Sequence, residues 1–382
     1  MNDPDPRFDA LETPALILDE VRMMRNIVRL REHLAGTGVS LRPHLKTLKS
    51  VEAARRLLTN GNGPATVSTL AEAEVFAKAG VLDMIYAVGI TPQKLDLVAR
   101  IRATGCDLAV LLDSREQALA VADASGQTNQ KIPALIELDC DGHRSGVAPD
   151  DPMLVEIGRI LHDSAAELRG VLTHAGESYE VVGREAHAKL AEEERLAAVT
   201  AAETLRNAGL PCPVVSIGST PTAQAIRNFD GLTEIRAGVF STFDLVQAGI
   251  GACEVGDIAL SVLTTVIGHQ KEKGWVITDA GWMAMSRDRG TASQTVDQGY
   301  GLVCDETGVP IPDLLMIKAN QEHGIIAHLN GDVASVPALP LGTRLRILPN
   351  HACATAAQFG AYSVVPTDPE APLMHWPRFG GW

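Results

Sequence analysis

From about residue 40 to 245 the chain alternates short β-like runs with helical stretches, eight times over. The runs fall at 39–46, 65–70, 84–88, 107–113, 134–139, 170–176, 214–220 and 234–242. Between them lie amphipathic stretches such as 70–79, which stops at Gly80, and the Ala/Glu/Arg-rich 184–208, which stops at Gly209. A glycine just past the last periodic residue is a common way for a helix to end. Eight strand–helix repeats predict a parallel (β/α)8 barrel, the TIM-barrel class, rather than an open doubly wound sheet. There is no G-x-G-x-x-G or P-loop pattern to argue for a nucleotide fold.

After about residue 255 the texture changes. Strand-like runs at 258–269, 274–279, 314–317 and 343–348 are separated by Gly, Pro and Asp turns, with few helical stretches. This predicts a second, β-rich domain. The strand-like run 13–19 precedes the first barrel repeat and is free to pair with that later sheet. The expected division is therefore a barrel over 20–250 and a β-rich domain built from 1–19 and 251–382.

Lys plus Arg number 33 against 47 for Asp plus Glu, a net charge of −14. That balance argues against nucleic acid and against anionic membrane as partners, since both ask for a basic surface. With 46% hydrophobic and 21% charged residues, the 382-residue chain has material for a sizeable core. It shows no basic n-region with an apolar h-region and no apolar run long enough to span a bilayer. The six cysteines lack disulfide-framework or CxxC spacing and read as reduced thiols of a cytoplasmic protein.

Two short segments about three hundred residues apart carry the strongest chemical signal. Arg42-Pro43-His44-Leu45-Lys46-Thr47 puts a lysine at the end of the first strand, and Pro349-Asn350-His351-Ala352-Cys353 offers an imidazole and a thiolate at i, i+2. Alone, the first is as ordinary as a solvated lysine and the second as a core cysteine beside a hydrogen-bonded histidine. Together they suggest covalent carbonyl chemistry at an amine, assisted by a soft divalent metal.

In a barrel, functional residues gather where strands end. Those ends supply Lys46, Arg144, His174, Ser219 with Thr220, and Arg236 with Gly238. Such a set suits an aromatic cofactor bearing a phosphate and a phenolate. The turn Gly218-Ser219-Thr220-Pro221-Thr222 is expected to aim amides and hydroxyls at phosphate, with Gly238-Val239 adding two more amides.

The motifs match in order from residue 42 to 353. Besides the two above they are Asp141-Gly142-His143-Arg144-Ser145-Gly146-Val147, Thr173-His174-Ala175-Gly176, Gly218-Ser219-Thr220-Pro221-Thr222, Arg236-Ala237-Gly238-Val239, Asp279-Ala280-Gly281 and Gln321-Glu322-His323-Gly324. On these residues the chain resembles the alanine-racemase-like, fold-type III pyridoxal-phosphate enzymes, and more closely the D-serine dehydratase and D-threonine aldolase family. The resemblance implies pyridoxal 5'-phosphate held covalently by Lys46, with Arg144 against its phenolic oxygen and Arg236 near the pyridine nitrogen. His174 and Tyr179 would flank the ring or phosphate. Gly218, Ser219, Thr220, Gly238 and Val239 would bind the cofactor. His351 and Cys353 would ligate a divalent ion, zinc or manganese, with magnesium or cobalt also compatible.

The implied reaction is loss of water from a D-3-hydroxy amino acid, giving a 2-oxo acid and ammonia. Lys46 would remove the α-proton while the metal activates the hydroxyl. Retro-aldol cleavage by the same residues remains open at this stage. Arg287 and Arg289 in the 285–290 loop suit a second substrate carboxylate, which favours 3-hydroxyaspartate over D-serine or D-threonine. Gln321 and His323 are further candidates for substrate contact. A racemase would leave the His-x-Cys pair without a task, and a non-catalytic cofactor-binding protein would not need a second domain with metal ligands. Enzymes of this fold usually work as homodimers, and a homodimer is expected.

Overall fold

A computed structural model describes residues 6–382. The chain divides into two compact units. One is Val28–Gly238 with Gly380–Trp382; the other takes the described residues up to Ile27 together with Val239–Phe379.

The second unit opens with strand β1 (Ala15–Asp19). The eight strands of the first unit are β2 (Ser40–Leu41), β3 (Ala65–Val67), β4 (Asp83–Gly89), β5 (Asp107–Leu112), β6 (Pro133–Leu138), β7 (Glu167–Thr173), β8 (Val214–Ile217) and β9 (Glu234–Ile235). Every neighbouring pair is parallel, and the order runs β2-β9-β8-β7-β6-β5-β4-β3. A parallel bridge between His44 and Thr66 joins the two ends, so the sheet closes. This is the barrel that the eight repeats predict.

The strands are short, and most of their residues are buried. All six residues of β6 are buried, and Ile85, Ala109, Leu111, Leu135 and Leu172 form one apolar cluster across four of the strands. Helices start where side chains cap them: Thr69, Ser114 and Asp151 each accept a hydrogen bond from an amide two or three residues on. Such caps satisfy amides that the first turn leaves unpaired. Gly170 sits at φ +152°, and a Cβ there would lie 2.0 Å from the Val214 carbonyl oxygen, so only glycine lets β7 and β8 approach this closely.

The second unit continues with β10 (Leu260–Gln270), β11 (Trp275–Thr278), β12 (Leu302–Cys304), β13 (Pro310–Ala319), β14 (Gly324–His328), β15 (Arg344–Leu348), β16 (Ala361–Val365) and β17 (Met374–Pro377). Six of these, in the cycle β10-β11-β14-β13-β12-β15, pair antiparallel and return to β10, so this sheet also closes. β1 pairs antiparallel with β10 and parallel with β16, as the early strand-like run led us to expect. Four strands escaped the sequence reading: β12, β14, β16 and β17. Each is five residues or fewer and is bounded by turns, which leaves little periodicity to detect. No helix among the described residues is long and apolar enough to cross a membrane.

Candidate active site

Within the barrel unit, the strand-end residues gather at one end of the closed sheet. Lys46 follows β2, Arg144 follows β6, His174 is the residue after β7, Gly218 the residue after β8 and Arg236 the residue after β9. A parallel ladder sends all of its strands the same way, so their C-terminal ends share a rim. Lys46 is exposed there.

Two histidines beside it are fixed in different tautomers. The backbone N–H of Lys46 donates to His44 Nδ1 at 3.3 Å, so the proton of that ring sits on Nε2. His174 Nδ1 lies 3.0 Å from the Gly218 carbonyl oxygen, which can only accept, so His174 carries its proton on Nδ1 and turns a lone pair outward on Nε2. Burial, with Arg236 and Lys46 nearby, holds His174 down at about 3. Burial and the same two cations hold His44 well below the usual imidazole range. Both rings are neutral at neutral pH. The Tyr179 ring lies 6.2 Å from that of His174, tilted by 47°.

Arg236 is buried, donating from Nε to Ser216 Oγ at 3.0 Å and from Nη2 to the Thr173 carbonyl. Burial works against its charge, and Glu234, Glu194 and Glu137 offset that. Arg144 reaches Glu137 Oε1 at 3.3 Å with most of its side chain exposed. Glu137, Asp139, Asp141, His143, Arg144 and His174 line a pocket, completed by Leu138 and Ser145. His143 packs so closely on Gly176 that a Cβ there would lie 2.2 Å from its Cδ2.

The turn after β8 holds its own amides. Gly218 N–H donates to Glu194, Ser219 N–H to Thr222 Oγ1, and Thr222 N–H to Ser219 Oγ. The helix that follows, Thr220–Ala225, is a little over one turn long. At the start of that helix Thr220 Oγ1 is buried and has no hydrogen-bond partner among the described residues. Gly238 also comes close, since a Cβ there would meet His44 at 3.1 Å. Val239 opens the short 3-10 turn Val239–Ser241 just past the division between the units. An exposed lysine, a buried hydroxyl lacking an acceptor and an arginine reaching a pocket fit a phosphorylated aldehyde such as pyridoxal phosphate.

In the β-rich unit, His351 is the N-cap residue of a short helix, Ala352–Ala356, which carries Cys353 one residue into its first turn. Asp288 Oδ2 lies 2.6 Å from His351 Nδ1, which assigns the proton to Nδ1 and leaves Nε2 to a metal. Burial opposes charge on the His351 ring, but its hydrogen bonds to Asp288 and Cys353 prevail and push it up to about 11. Among the described residues no group of three or more His, Cys, Asp or Glu side chains is arranged as a metal site. The imidazole and thiol fit a divalent ion as an open pair of ligands, with solvent or substrate completing the shell.

Arg287 stacks on Trp282, its guanidinium 5.0 Å from the ring centroid. Arg289 donates to Asp297 at 2.7 Å and lies 5.0 Å from the Tyr300 ring centroid. Gln321 and His323 are exposed in the turn after β13, where backbone carbonyls at 320 and 321 accept from Trp282 and Met283.

Sequence reasoning missed Glu194, Asp288 and Asp244. Glu194 sits on the stripe of Ala191, Ala198, Ala201, Ala202 and Leu205, so a charge at a core position of its helix was the available signal. Asp288 lies between the two arginines that drew attention to its loop. Asp244 gave no local signal, because its role is to accept the Ala352 amide from more than a hundred residues away.

Residues 18–245 match the family of the alanine racemase N-terminal domain, and residues 259–365 match a serine dehydratase domain. The chain is 54% identical to D-threo-3-hydroxyaspartate dehydratase of Delftia sp. (strain HT23), over 97% of this chain and 98% of that one. A solved structure of a cysteine-to-alanine mutant of D-threo-3-hydroxyaspartate dehydratase, in the metal-free form, superposes with a TM-score of 0.95 at 52% identity, covering 100% of both chains. D-threonine aldolase of Arthrobacter is 29% identical over 91% of this chain and 87% of its own length. The protein belongs to the family of lyases that join an alanine-racemase-like barrel to a serine dehydratase domain.

Proposed function

We propose that this enzyme eliminates water from D-threo-3-hydroxyaspartate to leave an enamine, which water then hydrolyses to a 2-oxo acid and ammonia, with pyridoxal 5'-phosphate and one divalent ion as cofactors. The observation that carries the reading is end-to-end kinship with the Delftia dehydratase, at a level well above that with the aldolase. Pyridoxal phosphate supplies an electron sink for an α-carbanion, and a divalent ion supplies Lewis-acid help to a departing hydroxide.

The remaining work falls to this chain's side chains. Lys46 Nζ would hold the cofactor and, as a free amine, would take the α-proton. Thr220 Oγ1 donates to a phosphate oxygen and Arg144 to the phenolic oxygen. Arg236, permanently protonated, keeps a positive charge beside the pyridine nitrogen without giving up a proton. His174, with Tyr179 beside it, meets the cofactor with a neutral Nε2 lone pair. His351 and Cys353 hold the ion as a nitrogen-and-sulfur pair, a donor set that favours zinc, while oxygen donors from water admit manganese. Arg287 and Arg289 receive the second substrate carboxylate, and Gln321 and His323 contribute to substrate contact.

We further propose a cytoplasmic homodimer. The six cysteines, which lack disulfide-framework or CxxC spacing, suit a reducing compartment. Purified protein is expected to carry visible cofactor absorbance and about one divalent ion per chain. Colourless, metal-free protein that still turns over the substrate would overturn the reading.

A further inference from the structure

The long helix Arg184–Asn207 buries a carboxylate to which the proposed reaction assigns no role. Glu194 is 1% exposed, yet each of its oxygens is occupied. Oε1 accepts from the Ala175 amide at 3.0 Å and from the Gly218 amide at 2.9 Å. Oε2 accepts from Thr222 Oγ1 at 2.8 Å. One side chain thus clasps the segment after β7, the segment after β8 and the helix that follows. The network extends further, since Thr222 Oγ1 and Ser219 Oγ lie 2.9 Å apart. Ser219 Oγ is 2.8 Å from Ser178 Oγ, which donates back to the Ala175 carbonyl at 2.7 Å.

A buried carboxylate is costly unless its lone pairs are filled, and here two amides and a hydroxyl fill them. Two of those donors, the Gly218 amide and the Thr222 hydroxyl, belong to the turn that the cofactor reading assigns to phosphate. With them committed, the turn has one shape, and in that shape Thr220 Oγ1 is buried with its bond unmade. We infer that Glu194 is the positioning residue of the phosphate subsite: it consumes the amide of Gly218 and the hydroxyl of Thr222 so that the 218–222 turn presents Thr220 to a phosphate monoester. The inference rests on the pyridoxal-phosphate reading above and adds to it the group that sets the turn.

The test compares two ligands that differ only in the phosphate. Apo-protein is titrated with pyridoxal phosphate and with pyridoxal, following visible absorbance. Glu194→Gln keeps the side chain's size but replaces the acceptor facing Thr222 with a donor. It is expected to weaken pyridoxal phosphate about ten-fold or more, the scale of one or two lost hydrogen bonds to a charged group. Pyridoxal binding should change less than about three-fold. Thr222→Val, which removes the clasped hydroxyl while leaving Glu194 its two amides, should reproduce that selectivity in milder form, and thermal unfolding establishes that each variant is folded. Equal losses for both ligands would reduce Glu194 to a general structural role and overturn the proposal, as would unchanged affinity for pyridoxal phosphate in both variants. If the wild-type protein binds neither ligand, the cofactor reading itself fails, an outcome distinct from failure of Glu194 alone.

Discussion

The two units fix their reactive residues by opposite means. In the barrel, the backbone does most of the placing: His174, Gly218 and Arg236 each follow directly on a strand of one parallel ladder. In the β-rich unit the placing is done by side chains and amides far apart in sequence. Leu245 and Val246 amides donate to the Pro349 and Asn350 carbonyls at 3.0 and 3.1 Å. Asp244 takes the Ala352 amide at 2.9 Å, and Asn350 Nδ2 donates to the Gly299 carbonyl at 2.7 Å. Thr291 Oγ1 donates to Asn350 Oδ1 at 3.0 Å, and Asp288 holds His351. A periodic scaffold lets a site be read from strand ends, whereas a site assembled from loops depends on supports that no local pattern announces.

The contrast predicts where damage will be local and where it will spread. Lys46 projects from a rim that does not need it for shape. Lys46→Ala should therefore leave the fold intact while turnover falls roughly a hundred- to ten-thousand-fold and the bound cofactor's visible band is lost. Stopped assays and an absorbance spectrum check this together, and an active variant with unchanged colour would break the assignment.

In the β-rich unit a supporting residue should matter nearly as much as a ligand. Asp288→Ala removes the acceptor at His351 Nδ1 and is expected to weaken metal binding about 10- to 100-fold, measured by titration of the chelated protein. Unchanged affinity would mean the loop network alone orients the imidazole.

The arginine loop sharpens the comparison at the level of specificity. Arg287→Ala should lower kcat/KM for D-threo-3-hydroxyaspartate roughly ten- to hundred-fold while D-serine, with no distal carboxylate, changes far less. Arg289 already donates to Asp297, so Arg289→Ala is expected to give the smaller selective loss. Equal losses on both substrates would return the loop to a structural role.

The smallest effect expected is one of pH. His174 is held at about 3 against an ordinary 6.5, so the unfolded chain takes up a proton that the folded barrel refuses. Its neutral form contributes stability that is present above pH 6.5 and declines as pH falls toward 3. Thermal unfolding of apo-protein across that window should show a steeper decline for wild type than for His174→Gln. Parallel curves would locate the acid sensitivity elsewhere.

The same contrast explains what the sequence made legible. Eight strands, their order, the rim lysine and the rim histidine follow from repetition and from residues adjacent to it. Glu194 was hidden because three consecutive glutamates on a helix look like a solvated face, and only the alanine stripe around it marks it as internal. The turn after β8 was expected to offer its amides outward, whereas Gly218 and Ser219 spend theirs within the network. Asp244 and Asn350 are visible only once the chain is folded, because their partners are separated from them by long stretches of sequence.

The central claim is elimination of water rather than cleavage of the carbon–carbon bond, and product analysis tests it most directly. Purified protein is incubated with D-threo-3-hydroxyaspartate, before and after chelation of divalent metal. The account predicts a 2-oxo acid and ammonia in equal amounts, lost on chelation and regained when metal is returned. Formation of glycine and glyoxylate would identify an aldolase, and undiminished ammonia release from metal-free protein would contradict the role given to His351 and Cys353.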